Sequence, residues 1–224
     1  MLACAALAFG AKEHALTLPA TLLLMDAWQA RADGGSFRAR VTGHLVLWLG
    51  VVVLGAGYLG ARAAVVGSLG AGSPAAGLQD LTTAGRAMVM MPAFAVWARL
   101  LLWPLHLSAD YSPDAFVPSL VLTPGHLVGA AVVSAAVAGA WLGRRRLPAV
   151  TFGLLLVAIT ASVATNIATP TGVMIAERVL YLPSAGAAIV LGALWERLPP
   201  APLGWPATAL VLALLGALAV ARIP

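Results

Sequence analysis

Apolar residues in this chain run in unbroken stretches rather than in alternation, and several stretches reach the length of a membrane helix. The clearest, at 43–66, 124–142 and 149–168, are rich in Leu, Ala and Val. An α-helix rises about 1.5 Å per residue, so about 20 apolar residues cross a hydrocarbon core about 30 Å thick. A membrane β-barrel would instead need strands of roughly ten residues that alternate apolar and polar. With 61% hydrophobic and 9% charged residues and a mean hydropathy of +0.95, the composition lies well outside that of soluble domains. The chain therefore reads as all-α, a polytopic transmembrane helical bundle forming a single domain over residues 1–224.

Shorter apolar segments lie at 1–10, 15–28 (interrupted by Pro19), 183–195 and 204–221, and 86–105 is apolar but carries Arg86 and Arg99. The Gly/Ser/Pro-rich stretch 67–77 reads as a loop, and proline-rich 197–206 as a turn between helices. The first residues lack the basic start of a signal peptide. Cys4 is the only cysteine, which excludes a disulfide framework and a cysteine metal site. The net charge is +5, but no dense basic tract with interleaved aromatics points to nucleic acid. The tryptophans fall mostly near segment ends and read as interface anchors.

Basic residues set the topology. Arg31, Arg38 and Arg40 lie in 29–42, Arg144, Arg145 and Arg146 in 143–148, and Arg197 follows the short segment 183–195. These are seven of the 13 basic residues, so the positive-inside rule places the three segments in the cytoplasm. Span 43–66 then runs outward and 124–142 returns. Everything from 67 to 123 begins and ends outside, so 86–105 is not a simple crossing but an interfacial or re-entrant helix, or one of a pair. The short helices thus belong to the outer face, with one of Arg86 and Arg99 at the lipid headgroups.

The same bookkeeping gathers three polar clusters on the outer face. They are KEH at 12–14, PLHLSADYSPD at 104–114 and the Glu177-Arg178 pair in AERVLYLPS at 176–184. Ionisable residues beside apolar spans mark functional sites by default. Carboxylates with a few cations at such a site suit a phosphate-bearing, lipid-linked substrate. Arginine grips phosphate through its planar fork, and a carboxylate can take a proton from an attacking hydroxyl. Adjacent Glu177 and Arg178 point about 100° apart on a helix, so each needs its own partner. Tyr181 lies within a turn of both.

Three stretches carry a family resemblance: KEHALTLPATLLLMD (12–26), LLLWPLHLSADYSPD (100–114) and NIATPTGVMIAERVLYLPSAG (166–186). They resemble the TMTC family, membrane protein O-mannosyltransferases with tetratricopeptide repeats and bacterial relatives, over roughly residues 1–200. The resemblance implies a GT-C-type glycosyltransferase membrane domain in a bacterial inner membrane, with its site on the periplasmic face. It implies transfer of a mannose-like sugar from a polyprenyl-phosphate donor to Ser/Thr hydroxyls of a protein acceptor. The family's acidic motif, assigned as catalytic base or metal-site acid, is expected upstream of Met1. The chain thus reads as part of a larger GT-C domain. The resemblance calls for no cofactor, and a divalent metal stays an open alternative.

In that frame Arg178 and Lys12 hold the donor phosphate, while Glu177 and Glu13 orient or tune them. Asp110 contacts sugar or acceptor hydroxyls, with Tyr111 stacking on a sugar face. Glu177 and Asp110 are the carboxylates in this chain placed to orient a substrate. Plainer roles compete. Arg178 can snorkel to headgroups and Glu177 can cap a helix. Lys12 and Glu13 can form a local interfacial pair, and Asp110 can cap a helix at Ser112-Pro113. His14 and His106, without fixed spacing, make a poor metal signal. Two rival functions are a non-catalytic membrane scaffold, a degraded paralogue keeping only the fold, and a lipid-linked substrate transporter.

The topology is directly testable in a Cys4→Ser background. A membrane-impermeant maleimide added to intact cells should label Gly172→Cys and leave Gly34→Cys unlabelled until the membrane is opened. The reverse pattern inverts the orientation.

Overall fold

The computed structural model describes residues 1–67, 75, 77–103, 111, 116–197 and 204–220. Among them there is no strand, and the chain forms α1 (Leu2–Ala11), α2 (Leu18–Ala32), α3 (Phe37–Gly43), α4 (Leu45–Val66), α5 (Thr83–Leu102), α6 (Pro124–Arg146), α7 (Pro148–Ala161), α8 (Tyr181–Trp195) and α9 (Gly204–Val220). Short 3₁₀ turns at Glu13–Thr17, Ser162–Thr165 and Glu177–Leu180 lead into or out of α2, α7 and α8. Five helical segments, at Leu45–Val66, Thr83–Leu102, Pro124–Arg146, Pro148–Thr165 and Glu177–Trp195, are long and apolar enough to cross a membrane. The protein is an all-α integral membrane bundle.

The observed elements keep close to the apolar segments of the sequence, with informative exceptions. Helix α6 continues past 142 through Arg144–Arg146, where basic side chains favour a helix C-terminus. The 29–42 stretch is not all loop. Ser36 accepts a hydrogen bond from the Ala39 amide and starts α3. Arg40 of α3 donates to the Asp33 carboxylate and to Gln29 at the end of α2, locking that corner.

Helix directions define two chemically distinct ends. Trp28 packs on Phe152 with ring centroids 5.0 Å apart, while the 13–17 turn packs on the 162–165 turn. Helices α2 and α7 are therefore antiparallel. The Arg31–Arg40 corner consequently shares one end with the α6–α7 junction, where Arg197 donates to the Arg146 carbonyl at 2.9 Å. This is the basic end, and the basic segments grouped by the sequence do meet there. The opposite end carries the turns at 13–17, 162–165 and 177–180.

Helices α7 and α8 form the closest long pairing. A Cβ added to Gly153 would lie 2.6 Å from the Gly186 carbonyl oxygen, and one on Gly186 would lie 2.6 Å from the Gly153 carbonyl oxygen. Two backbones touch there because neither residue has a side chain, the means by which helices associate in lipid. Gly129 of α6 meets the Met91 carbonyl of α5 in the same way. The small-residue stretch GAGYLGAR (55–62) makes less of such contact. There Gly55 touches Phe9, but Gly57 and Gly60 face open space.

The α7–α8 pairing fixes the disposition of α5. Residues 166–176 join the same end of both helices, and both termini of α5 reach the segment they begin. Arg86, in its first turn, donates to the Ile167 carbonyl at 3.1 Å and the Ala168 carbonyl at 3.2 Å. Arg99, thirteen residues and about 20 Å further along, stands beside Tyr111, which is bonded to Ile175 and Glu177. Helix α5 thus lies across the end opposite the arginine loops, as the sequence parity requires. Its buried face, with Val89, Met90, Ala93, Trp97 and Leu100, joins Leu78, Phe116, Ile175 and Leu180 in the main apolar cluster. A second cluster joins Ala5 and Phe9 of α1 to Val51 of α4.

Two tryptophans depart from the interface-anchor pattern. Trp97 is buried in the main cluster and Trp48 against α2, whereas Trp103, Trp141 and Trp195 are exposed at helix ends.

Gly186→Val should lower the thermal unfolding midpoint in detergent, with overpacking on the order of 1–3 kcal/mol. Gly57→Ala, with open space around it, should leave the midpoint unchanged or raise it, since Ala exceeds Gly in helix propensity by up to about 1 kcal/mol. Equal effects of the two would refute backbone contact at Gly186.

Candidate functional site

The end opposite the arginine loops is organised by one side chain. Asn166 is fully buried and takes the left-handed conformation, φ 58°, which asparagine tolerates better than most residues. Its amide nitrogen donates to the carbonyls of Ala164 and Val173, and its Oδ1 accepts from the backbone and hydroxyl of Thr171. Buried loop backbone must find partners, and here they are supplied from within the loop. The result positions Met174, Ile175 and Ala176, all buried, and delivers the chain into the 177–180 turn.

That turn separates its two charges. On one side Tyr111 Oη donates to Glu177 Oε1 at 3.1 Å, and the Tyr111 amide donates to the Ile175 carbonyl at 3.3 Å. Burial raises the Tyr111 pKa, the Glu177 hydrogen bond and charge add to the rise, and Arg99 opposes it. The phenol keeps its proton and acts as a donor to the carboxylate.

Arg178 turns toward Lys12 and His14, and all three line two adjoining cavities of about 470 and 370 Å³. The larger is walled by apolar groups from four elements, among them Ala8, Leu18, Leu156 and Leu182, with Tyr181 at its edge. The smaller is more polar and adds Glu13, Thr171 and Gly172. Among the described residues, neither Lys12 nor Arg178 has a hydrogen-bond or ion-pair partner. Two exposed cations thus stand beside an apolar chamber, an arrangement chemically suited to an anion with an apolar tail.

His14 completes this wall. Both its ring nitrogens are shielded from solvent and neither has a hydrogen-bond partner. Its pKa is lowered by burial first and by Lys12 second, with Glu13 opposing.

The residues singled out in the sequence thus fall into two groups. Lys12, Glu13, Arg178 and Tyr181 meet around the cavities. Glu177 and Tyr111 form a separate pair on the other side of the turn. Asp110, like Asp114 and His106, lies outside the described residues. Arg86 spends its donors on the carbonyls of Leu81, Ile167 and Ala168, and Arg99, although exposed, stands beside Tyr111. Among the described residues no group of three or more His, Cys, Asp or Glu is gathered for a metal.

Sequence reasoning missed Asn166, and it weighed His14 only as a metal ligand. It also missed a polar node near the basic end. There buried Asp26 meets His44 Nδ1 at 3.2 Å and accepts from Trp48 Nε1 at 3.4 Å. A lone carboxylate inside apolar 15–28 was the available signal, because a buried charge demands partners.

The fold and this site define an integral membrane protein with a cation-lined cavity at one end of its bundle. No family model, curated protein or solved structure matches the chain.

Asn166→Ala leaves buried groups unpaired, at about 1–3 kcal/mol, and adds strain at positive φ. Asn166→Gly removes the strain but not the lost bonds. The expected order of thermal stability is wild type, Gly, Ala, with protease cleavage in 166–176 rising in step. Equal stability of all three would refute the loop-pinning role.

Proposed function

We propose that this chain is the membrane domain of a GT-C-type glycosyltransferase resembling the TMTC family. It would bind a polyprenyl-phosphate sugar donor at the cavities shared by Lys12 and Arg178, and transfer the sugar to Ser or Thr hydroxyls of a protein. The observation that carries this reading is the convergence of Lys12 and Arg178, which have no hydrogen-bond or ion-pair partner among the described residues, from segments far apart in sequence on a chamber with apolar walls. The apolar wall suits the isoprenoid chain, and the cations suit its phosphate.

In the reaction proposed, a carboxylate takes the proton of the acceptor hydroxyl, and its oxygen attacks the anomeric carbon with inversion. The bond from that carbon to the phosphate oxygen breaks, and the phosphate leaves with the electron pair. Lys12 and Arg178 stabilise the charge that develops on it. Tyr111, held protonated on Glu177, keeps that carboxylate from quenching Arg178. The site lies on the periplasmic face in this reading, since the arginine loops occupy the other end.

Sugar transfer from a polyprenyl-phosphate donor by the intact protein in membranes tests this. Arg178→Ala and Lys12→Ala should each reduce kcat/KM roughly ten- to hundredfold, the size expected for losing a charged hydrogen bond. Wild-type turnover in both would sink the phosphate-holding role. No turnover in the wild type, with donor binding intact, would favour the scaffold.

A further inference from the structure

Three features of the molecule lie outside the proposed roles of Lys12 and Arg178. The Asp26–His44–Trp48 node satisfies its own hydrogen bonds and borders no cavity described above. His126 uses Nδ1 on Thr123 to cap α6 and likewise lines neither cavity. His14 differs from both. It sits in the wall shared by the two cavities, and both its nitrogens are unsatisfied. A buried polar atom without a partner is rare in a native fold, and at a cavity it points to a ligand that supplies the bond.

We propose that His14 is the third phosphate ligand of this site, and that it takes up one proton when the anion binds between Lys12 and Arg178. The inference rests on the phosphate-binding reading above and adds a residue and a proton to it.

The charges around His14 explain why the proton arrives with the ligand. On its own turn it faces Lys12 and Glu13. From the 177–180 turn it faces Arg178, and from the start of α8, Tyr181. The α2, α7 and 171–176 segments contribute hydroxyls at Thr17, Thr21, Thr160 and Thr171, and no charged side chain to these cavities. In the protein by itself burial and Lys12 hold the imidazole below its ordinary 6.5. It is therefore neutral near pH 7. A phosphodiester brings a negative charge within reach of an orphaned nitrogen, and an opposite charge at hydrogen-bond distance favours the imidazolium. The nitrogen facing the anion then donates to it. The proton comes from solvent, so the bound complex holds one more proton than its separate parts.

Linkage gives the sign. The pKa is higher in the complex than in the free protein, so affinity rises as pH falls through the bound value. It levels off below the free value. Between the two the gain reaches about tenfold per pH unit. At higher pH, where His14 is neutral in both states, the contribution vanishes.

Isothermal titration in detergent with methyl farnesyl phosphate tests the proposal, because this diester keeps one negative charge throughout the range where histidine titrates. Expected for the wild type is tightening as pH is lowered from about 8 to about 5, with proton uptake visible as a buffer-dependent heat. His14→Gln, which cannot gain a proton, and His14→Lys, which is charged throughout, should both bind without that slope. A slope that persists in a folded His14→Gln or His14→Lys protein, or a flat wild-type profile, overturns the role of His14 while leaving the phosphate site intact. Binding that is absent, or indifferent to Arg178→Ala, overturns the site and the inference together. Dimethyl phosphate separates the sources of the anion. Equal affinity with the same His14 slope upholds His14 but assigns the cavity to a free phosphodiester instead of a lipid.

Discussion

The buried amide of Asn166 is the interaction on which the end opposite the arginine loops depends. A helix pair in lipid needs a connection whose own backbone is satisfied, because the surrounding solvent offers no hydrogen bonds. Between α7 and α8 that satisfaction comes from Asn166 and Thr171 inside the loop, and from Arg86 clamping two of its carbonyls from α5. Everything placed afterwards inherits this geometry. Ile175 offers its carbonyl to Tyr111, Glu177 receives the phenol, and Arg178 reaches the cavities because the turn before it is fixed.

The bilayer acts as a solvent that rewards a different economy of burial from water. Most large apolar side chains on α4 and α6 face outward, where a soluble fold would need them inside. Association then relies on close backbone approach, at Gly153–Gly186 and Gly129–Met91, more than on withdrawing apolar area. The main apolar cluster sits where α5 crosses the end of the bundle. Arg86 ties the start of α5 to the 167–168 carbonyls, and Arg99 near its other end stands beside Tyr111, so the helix braces this end of the bundle despite having the length and hydropathy of a span.

Much of this architecture was legible in the sequence because its strongest signals are one-dimensional. Apolar runs marked the helices to within a few residues, and clustered arginines separated the two ends. Parity alone removed 86–105 from the simple crossings, and the arginine contacts of α5 give that a physical basis. The adjacency of Glu177 and Arg178 implied that the two charges face apart, and they do: Glu177 meets Tyr111 while Arg178 lines the cavities. What was not legible depends on three-dimensional coincidence. Asn166 looked like any loop asparagine until its left-handed backbone and its four hydrogen bonds to three residues were visible. Gly153 and Gly186 lie in apolar runs that resemble many others, whereas the richer GAGYLGAR stretch mostly faces open space. Trp48 and Trp97 looked like interface anchors, but one serves a buried carboxylate and the other fills a core. His14 could not be valued by spacing, because its significance lies in having no partner.

The separation of Glu177 from Arg178 is what the proposed anion site requires in a region so poor in charge. An arginine beside a free carboxylate would form an ion pair, and a ligand would have to break that pair to bind. Here the carboxylate is held by the Tyr111 hydroxyl on the far side of the turn. Burial and the carboxylate itself keep that hydroxyl protonated, so the arrangement holds across neutral pH. Among the described residues Lys12 likewise has no ion-pair partner, although Glu13 follows it directly, since the 3₁₀ turn that begins there sends neighbouring side chains in different directions. Neither cation is thus paired with a carboxylate among the described residues, an arrangement preorganised for a ligand that brings negative charge.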